Sequence, residues 1–148
     1  MEIILNKVSC SSVNEERKLN NVSCTFKSSN ITFVSGISGR LLRDLLIGKK
    51  IKVSGSLEIK PAGTIKDIGY LSNNPLKEFK TKTVYDEMNY LAKFYELDYE
   101  DYNKKMYDAL KLVGLNDGYL RRSFGSLSTT EIKRVQLALV LFYNPLVY

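Results

Sequence analysis

The chain has 148 residues, with 22 lysines and arginines against 16 aspartates and glutamates and no histidine, for a formal charge of +6. That length suits one domain, and 44% hydrophobic with 26% charged residues is the balance of a globular protein. The lack of histidine excludes Ser-His and Cys-His catalysis, histidine-based zinc sites and pH switching near neutrality. No apolar run reaches the roughly 20 residues that span a bilayer, and no signal peptide precedes the first strand, so a soluble chain that stays inside the cell is expected. Cys10 and Cys24 lie in half-apolar, β-like stretches without CxxC spacing and read as buried, reduced thiols. The positive charge suits an acidic partner, but its carriers are scattered, which favours a merely basic surface and makes nucleic acid an unpromising ligand.

Residues 2–9 (EIILNKVS) and 22–27 (VSCTFK) have the character of strands, with a polar loop over 11–20 at the turn of a hairpin. A tight turn at 28–30 leads to residues 31–35 (ITFVS), an apolar, β-branched run typical of a strand covered on both faces. Gly36-Ile37-Ser38-Gly39 follows. Residues 40–47 (RLLRDLLI) then set Leu41, Leu42, Leu45 and Leu46 on one helical face, with Gly48 as the stop. Strand, glycine-containing turn and helix are the layout of a phosphate-binding loop. Two more strands are predicted over 51–59 and 65–71, around Pro61-Ala62-Gly63, and a polar, irregular loop over 72–82.

From Thr83 the period turns helical. Val84, Met88, Leu91 and Phe94-Tyr95 make one stripe, with Thr83 as its cap. A second helix is predicted over 99–113, closed by Gly114, and a basic loop over 119–126. The segment Leu127-Ser128-Thr129-Thr130-Glu131 opens a third helix. Thr129 or Thr130 can cap it, and Glu131 sits at the positive end of its dipole. The apolar run 135–142 forms its body, Asn144-Pro145 stops it, and Leu146-Val147-Tyr148 reads as the first residues of a buried strand. Each of these features also has a plain reading. Gly36 and Gly39 serve equally as turn glycines, 127–131 as a helix cap, Asn73-Asn74-Pro75 as a turn, and Lys133-Arg134 as a solvated face. Tyr85, Tyr90, Tyr95, Tyr99, Tyr102 and Tyr107 are expected to pack rather than stack on bases.

The order of these segments resembles the ATP-binding cassette (ABC) ATPases, most closely the ATPase subunits of energy-coupling-factor vitamin and metal importers. MEIILNKVS with LNNVSCTF is similar to the family's first strand pair. IGYLSNNP with TVYDEMNYLAK is similar to the segment around the Q-loop and the helix after it. LSTTEIKRVQLALVLFYNPLVY is similar to the signature motif, its helix and the approach to the Walker B strand. The resemblance implies an α/β fold of P-loop NTPase type with an N-terminal β-rich flank and a helical subdomain, its C-terminal core strands missing. In this reading one incomplete ABC ATPase-like domain fills 1–148. Residues 1–71 are the β-rich, P-loop-like part, 72–82 the Q-loop-like segment, 83–126 the helical subdomain, and 127–148 the signature-like helix with the start of the Walker B strand.

Against the family's pattern the departures concentrate on phosphate contacts. A P-loop needs glycines, a lysine for the β/γ-oxygens and a Ser/Thr hydroxyl for Mg²⁺. Here Gly36, Ile37, Ser38 and Gly39 run directly into Arg40 and Leu41, and the Gly-Lys-Ser/Thr portion is absent. The guanidinium of Arg40 supplies charge but not a shaped loop. Where the family stacks adenine on an aromatic residue, this chain has Cys10-Ser11-Ser12, and the Q-loop glutamine falls on Asn73. The signature Leu-Ser-Gly-Gly-Gln becomes Leu127, Ser128, Thr129, Thr130 and Glu131: the serine is kept, two β-branched residues replace the bare glycines, and a carboxylate stands near a phosphate position.

The Walker B aspartate, catalytic glutamate and switch histidine have no counterpart within 148 residues, so no catalytic and no metal-ligating residue is assigned. The resemblance implies ATP with Mg²⁺ as cofactor, held weakly or lost. It implies as partners another ABC ATPase subunit and a transporter membrane subunit, reached through roughly residues 73–95, and a cytoplasmic location on the inner face of the cell membrane. A non-transport regulatory module and a fragment of a disrupted gene are the alternatives. Without a Walker B strand beside them, residues 31–35 and the 135–142 helix are expected to expose apolar surface.

Overall fold

The computed structural model describes residues 1–11, 18–28, 30–36, 38–48, 51–61, 63, 67–98 and 100–145. The chain divides into two compact units, Met1–Ile68 and Gly69–Pro145.

The first unit is built on a three-stranded antiparallel sheet of β1 (Glu2–Ser11), β2 (Lys18–Lys27) and β3 (Val53–Lys60), in the order β2-β1-β3. The predicted hairpin is β1 and β2, with both strands longer than the sequence pattern suggests: Cys10 pairs with Leu19 and Ser11 with Lys18. The tip of its loop lies outside the described residues. Burial along β1 alternates, but its parity changes midway. Ile3 and Leu5 face the core, then Val8 and Cys10. The cause is an irregularity at residues 6–7, where the register shifts against both neighbours and Lys7 takes a left-handed φ of 50°. Gly55 on β3 accommodates it. Its φ is +88°, and a Cβ there would lie 2.5 Å from the Lys7 carbonyl oxygen. Helix α1 (Gly39–Leu46) buries Leu41, Leu42 and Leu45, as its spacing predicts, and Leu42 and Leu45 join Leu5 and Val8 in this unit's small core.

Two expectations fail in this unit. Residues 31–35 form no strand. They run irregularly at the surface, with Ile31 87% and Phe33 94% exposed. A strand buried on both faces needs parallel neighbours for its backbone groups, and among the described residues none flanks it, since the antiparallel sheet is built from other segments. Residues 67 and 68, and 69–71 at the start of the second unit, likewise belong to no strand, and Leu71 is half exposed; residues 64–66 lie outside the described set.

The second unit packs α2 (Val84–Phe94), α3 (Tyr102–Leu112) and α4 (Thr129–Tyr143) around one apolar core. Val84 and Met88 of α2, Met106 and Leu110 of α3, and Val135 and Ala138 of α4 are essentially inaccessible to solvent. Three- and four-residue spacing puts each pair on the inner stripe of its helix. Thr83 caps α2 by accepting the Asp86 N–H at 3.2 Å, and Asp101 caps α3 by accepting the Lys104 N–H at 2.9 Å. The cap of α4 is neither Thr129 nor Thr130. Ser128 accepts the Glu131 N–H at 3.3 Å while Glu131 accepts the Ser128 N–H at 2.7 Å, a reciprocal capping box. The glutamate fixes the choice, because it reaches back three residues and so selects Ser128.

The basic loop over 119–126 is ordered rather than loose. Short 3₁₀ turns at Asp117–Arg121 and Phe124–Ser126 bury Leu120 and Phe124, and Phe124 N–H donates to the Lys82 carbonyl at 3.1 Å. Helix α4, expected to expose its apolar run, instead has Val135, Leu139 and Phe142 buried within its own unit. The stop at Asn144 is a left-handed C-cap. The strand predicted at Leu146-Val147-Tyr148 lies outside the described residues.

Candidate functional site

The sequence-predicted site residues fall into three segments. The phosphate-loop-like segment belongs to the first unit, and the Asn73 and signature-like segments belong to the second.

Gly36 carries the φ of +116° that a glycine turn allows, and its carbonyl accepts the Gly39 N–H at 3.2 Å. Ser38 stands at the start of α1 but does not cap it. Its Oγ donates to the Lys18 carbonyl at 2.7 Å, while its own carbonyl accepts from Leu42 N–H at 3.0 Å. Arg40 is exposed on the first turn of the helix, and Ile37 lies outside the described residues. A Mg²⁺-nucleotide asks this turn for free N–H groups, a lysine and a free hydroxyl. Gly39 N–H and the Ser38 hydroxyl are already engaged, and Arg40 stands where the missing portion would begin. The residues present fit a triphosphate poorly.

Cys10 and Ser11, which the sequence resemblance sets against the family's adenine-stacking residue, line an open cavity of about 420 Å³ together with Lys18, Asn20, Lys52 and Ser54. Among the described residues no aromatic side chain lines it, and Ser12 lies outside them. Burial pushes both thiols up from the ordinary range, with a hydrogen bond involving Leu19 pulling Cys10 partly back. Both cysteines are free and held as thiols rather than thiolates.

Asn73 is exposed, on a loop that is firmly anchored at both ends. The Lys133 ammonium donates to the Ser72 carbonyl at 2.6 Å and to the Asn73 carbonyl at 3.1 Å. The Gln136 carboxamide, oriented by its partners, donates to the Ser72 carbonyl at 3.1 Å and accepts the Ser72 N–H. Further along, Glu87 is buried and accepts the N–H groups of Lys80 at 2.9 Å and Thr81 at 2.8 Å, and the Thr81 hydroxyl at 2.8 Å. Phe79 stacks on Phe124 with ring centroids 4.0 Å apart. Lys133 is exposed, as its assignment to a solvated face implies, and from that face its ammonium also anchors the loop.

In the signature-like segment, Leu127 is buried, Ser128, Thr129 and Thr130 are exposed, and Glu131 is the hub. Besides the capping box, its carboxylate accepts the Ser128 hydroxyl at 2.7 Å, the Tyr119 hydroxyl at 2.5 Å and an Arg122 guanidinium N–H at 3.1 Å. Arg122 also lies over the Tyr119 ring, 4.9 Å from its centroid. These donors, the Tyr119 hydroxyl foremost, hold the Glu131 carboxyl down at about 2, and the same bond raises the Tyr119 phenol above its ordinary value. The signature-like turn thus carries its own permanent anion, with Ser128 committed to it. The sequence pattern Ser-x-x-Glu signals the capping box, but nothing local signals Tyr119, Arg122, Glu87 or Gln136 as its companions or anchors, because those contacts follow from the packing of the helices. Among the described residues no group of three or more Cys, Asp or Glu is placed to hold a metal, and no helix is long and apolar enough to cross a membrane.

The fold is that of the ABC ATPases. The structure matches cbiO1 of Clostridium perfringens, part of the ABC transporter complex cbiONQ, with a TM-score of 0.71 at 19% identity over 97% of this chain and 62% of that one. It matches an ATP-binding protein of Pyrococcus furiosus, provisionally named as part of an ABC transporter, with a TM-score of 0.72 at 21% identity, covering 98% of this chain and 72% of that one. In sequence, the chain is 35% identical over 121 residues to a provisionally named ABC transporter ATP-binding protein of Clostridium tetani, covering 80% of this chain and 25% of the relative. It is 29% identical over 137 residues to one from Pyrococcus furiosus, covering 86% of this chain and 51% of the relative. The chain spans about half the length of the one curated relative and a quarter of the other. No protein-family model matches it. Fold and sequence together make the chain a relative of the ATP-binding proteins of ABC transporters.

Proposed function

We propose that the chain serves an ABC-type assembly by contact rather than by hydrolysis, docking on a transporter membrane subunit or pairing with an intact cassette. The observation that carries this reading is the run from Gly36 to Leu42. It enters α1 without the Gly-Lys-Ser/Thr portion, while the Ser38 hydroxyl and the Gly39 N–H are taken up by the Lys18 and Gly36 carbonyls. The helical unit, by contrast, keeps a packed core and capped helices, and its anchored loop over 72–81 opens the stretch through which docking is proposed. The cbiO1 protein is part of a transporter complex, which supports a membrane-subunit partner for this chain. Mg²⁺-ATP is a weak or lost ligand in this reading, and the chain works on the inner face of the membrane, held there by its partner.

Two assays test it. Purified chain should hydrolyse ATP no faster than a mock preparation, and turnover above that background would overturn the contact-only reading. Affinity capture from membranes should bring down multispanning transporter subunits or an intact cassette; capture of soluble regulatory proteins alone would replace docking with a non-transport role.

A further inference from the structure

We infer that Lys133 is a positioning residue that fastens the Asn73 loop to the first turns of α4, so that Asn73 and the Ser128–Glu131 turn move as one body. Lys133 lies two residues beyond Glu131 on the same helix. Its ammonium bridges two consecutive carbonyls, those of Ser72 and Asn73, at 2.6 and 3.1 Å. One turn of α4 further on, buried Gln136 takes both backbone groups of Ser72. Ser72 is itself buried, and its hydroxyl accepts the Asn74 N–H at 3.1 Å, which shapes the turn into Pro75. Two consecutive residues, Ser72 and Asn73, are thereby held by two side chains of one helix, and Ser72 in turn holds Asn74.

The chemistry suits a fastener. An ammonium satisfies several carbonyls at once, and a charge-assisted bond is about twice as strong as a neutral one. A loop held only by van der Waals contact has no such directional tie. With Glu87 and the Phe79–Phe124 stack holding residues 79–81, the loop is tied down at both ends, while Leu71 and Leu76 are left half exposed. Lys133 and Gln136 thus join two candidate contact segments that are about sixty residues apart in sequence.

The inference rests on the docking proposal only for what the loop is for; the coupling is a property of the chain alone. Amide hydrogen exchange on the intact chain tests it, comparing wild type with Lys133→Met and Lys133→Arg. Lys133→Met should speed exchange at Ser72 and Asn74 several-fold, up to about tenfold, and raise it at Glu131 as well, leaving Val84 to Phe94 unchanged. Lys133→Arg, which keeps the charge and donors, should retain most of the protection. Unchanged exchange at Ser72 and Asn74, or equal acceleration throughout α2 to α4, overturns the inference. Should Lys133→Met fail to fold, nitrogen-15 NMR of the wild-type lysine ammonium decides. Slowly exchanging Nζ protons with contacts to residues 72–73 support the tie, and a freely averaged signal rejects it. Because membrane-subunit capture is measured separately, failed capture with intact exchange effects would sink docking and leave the coupling standing.

Discussion

Residues 69–145 bury the apolar stripe of each helix in one shared core, whereas residues 1–68 leave Ile31, Phe33 and Val34 at the surface beside a well-formed sheet. The difference lies in where each element finds its partners. An amphipathic helix makes its own backbone hydrogen bonds and needs only a neighbour for one face, which α2, α3 and α4 supply to one another. A doubly covered strand depends on neighbours for hydrogen bonds and for both faces, so residues 31–35 run irregularly and join no strand among the described residues. Local pattern suffices for the first kind of element and not for the second.

The sharpest way to break this comparison is to open the helical core. Leu110→Ala removes a completely buried side chain and is expected to cost about 4 kcal/mol by urea unfolding, against about 2 kcal/mol for Leu42→Ala in the smaller core of the first unit. Equal losses would mean that the two cores are equivalent. Next comes the capping box. Ser128→Ala should cost about 1 kcal/mol, and Thr129→Ala much less, because only Ser128 meets the Glu131 N–H. A reversed order would restore the threonine cap expected from sequence.

A smaller effect is expected from acid. The Glu131 carboxyl is lowered in the folded chain to about 2, so its stabilising bonds are fully present above the ordinary carboxylate range and lost as pH falls through that range towards 2. Glu131→Gln should flatten that part of the stability–pH curve; an unchanged curve would show that other carboxylates govern it. Smallest of all should be Phe33→Ser. With the side chain almost wholly exposed, stability should stay within about 0.5 kcal/mol, while any self-association seen by light scattering should fall. A larger loss of stability would mean that residues 31–35 are packed after all.

Legibility in the sequence followed the same division. The helix over Val84–Phe94, its Thr83 cap, α3 with Gly114 beyond it, the break at Asn144 and the β1–β2 hairpin all follow from local chemistry and periodicity. The position of the α4 cap is carried by the sequence too, in the three-residue spacing of Ser128 and Glu131 that a capping box requires. The buried glutamate at position 87 was not, because a carboxylate beside an apolar stripe reads as solvent-facing until the N–H groups of Lys80 and Thr81 are seen to turn towards it. Lys133 escaped for a similar reason: its partners are backbone carbonyls, which carry no sequence signature. Within the candidate segments the capping box follows from the Ser-x-x-Glu pattern, whereas the contacts of Tyr119, Arg122, Lys133 and Gln136 follow only from packing.

The irregularity at residues 6–7 has a bearing on oxidation. By reversing the parity of β1 it turns Cys10 inward, where only 7% of the residue meets solvent and burial keeps its thiol protonated. Straightening the bulge with every residue kept would turn Lys7 and Ser9 inward and bring the sulfur out to the surface. Resistance of this thiol to oxidants is thus set by a backbone kink three residues away, and a thiol-reactive dye would report on the register of the sheet.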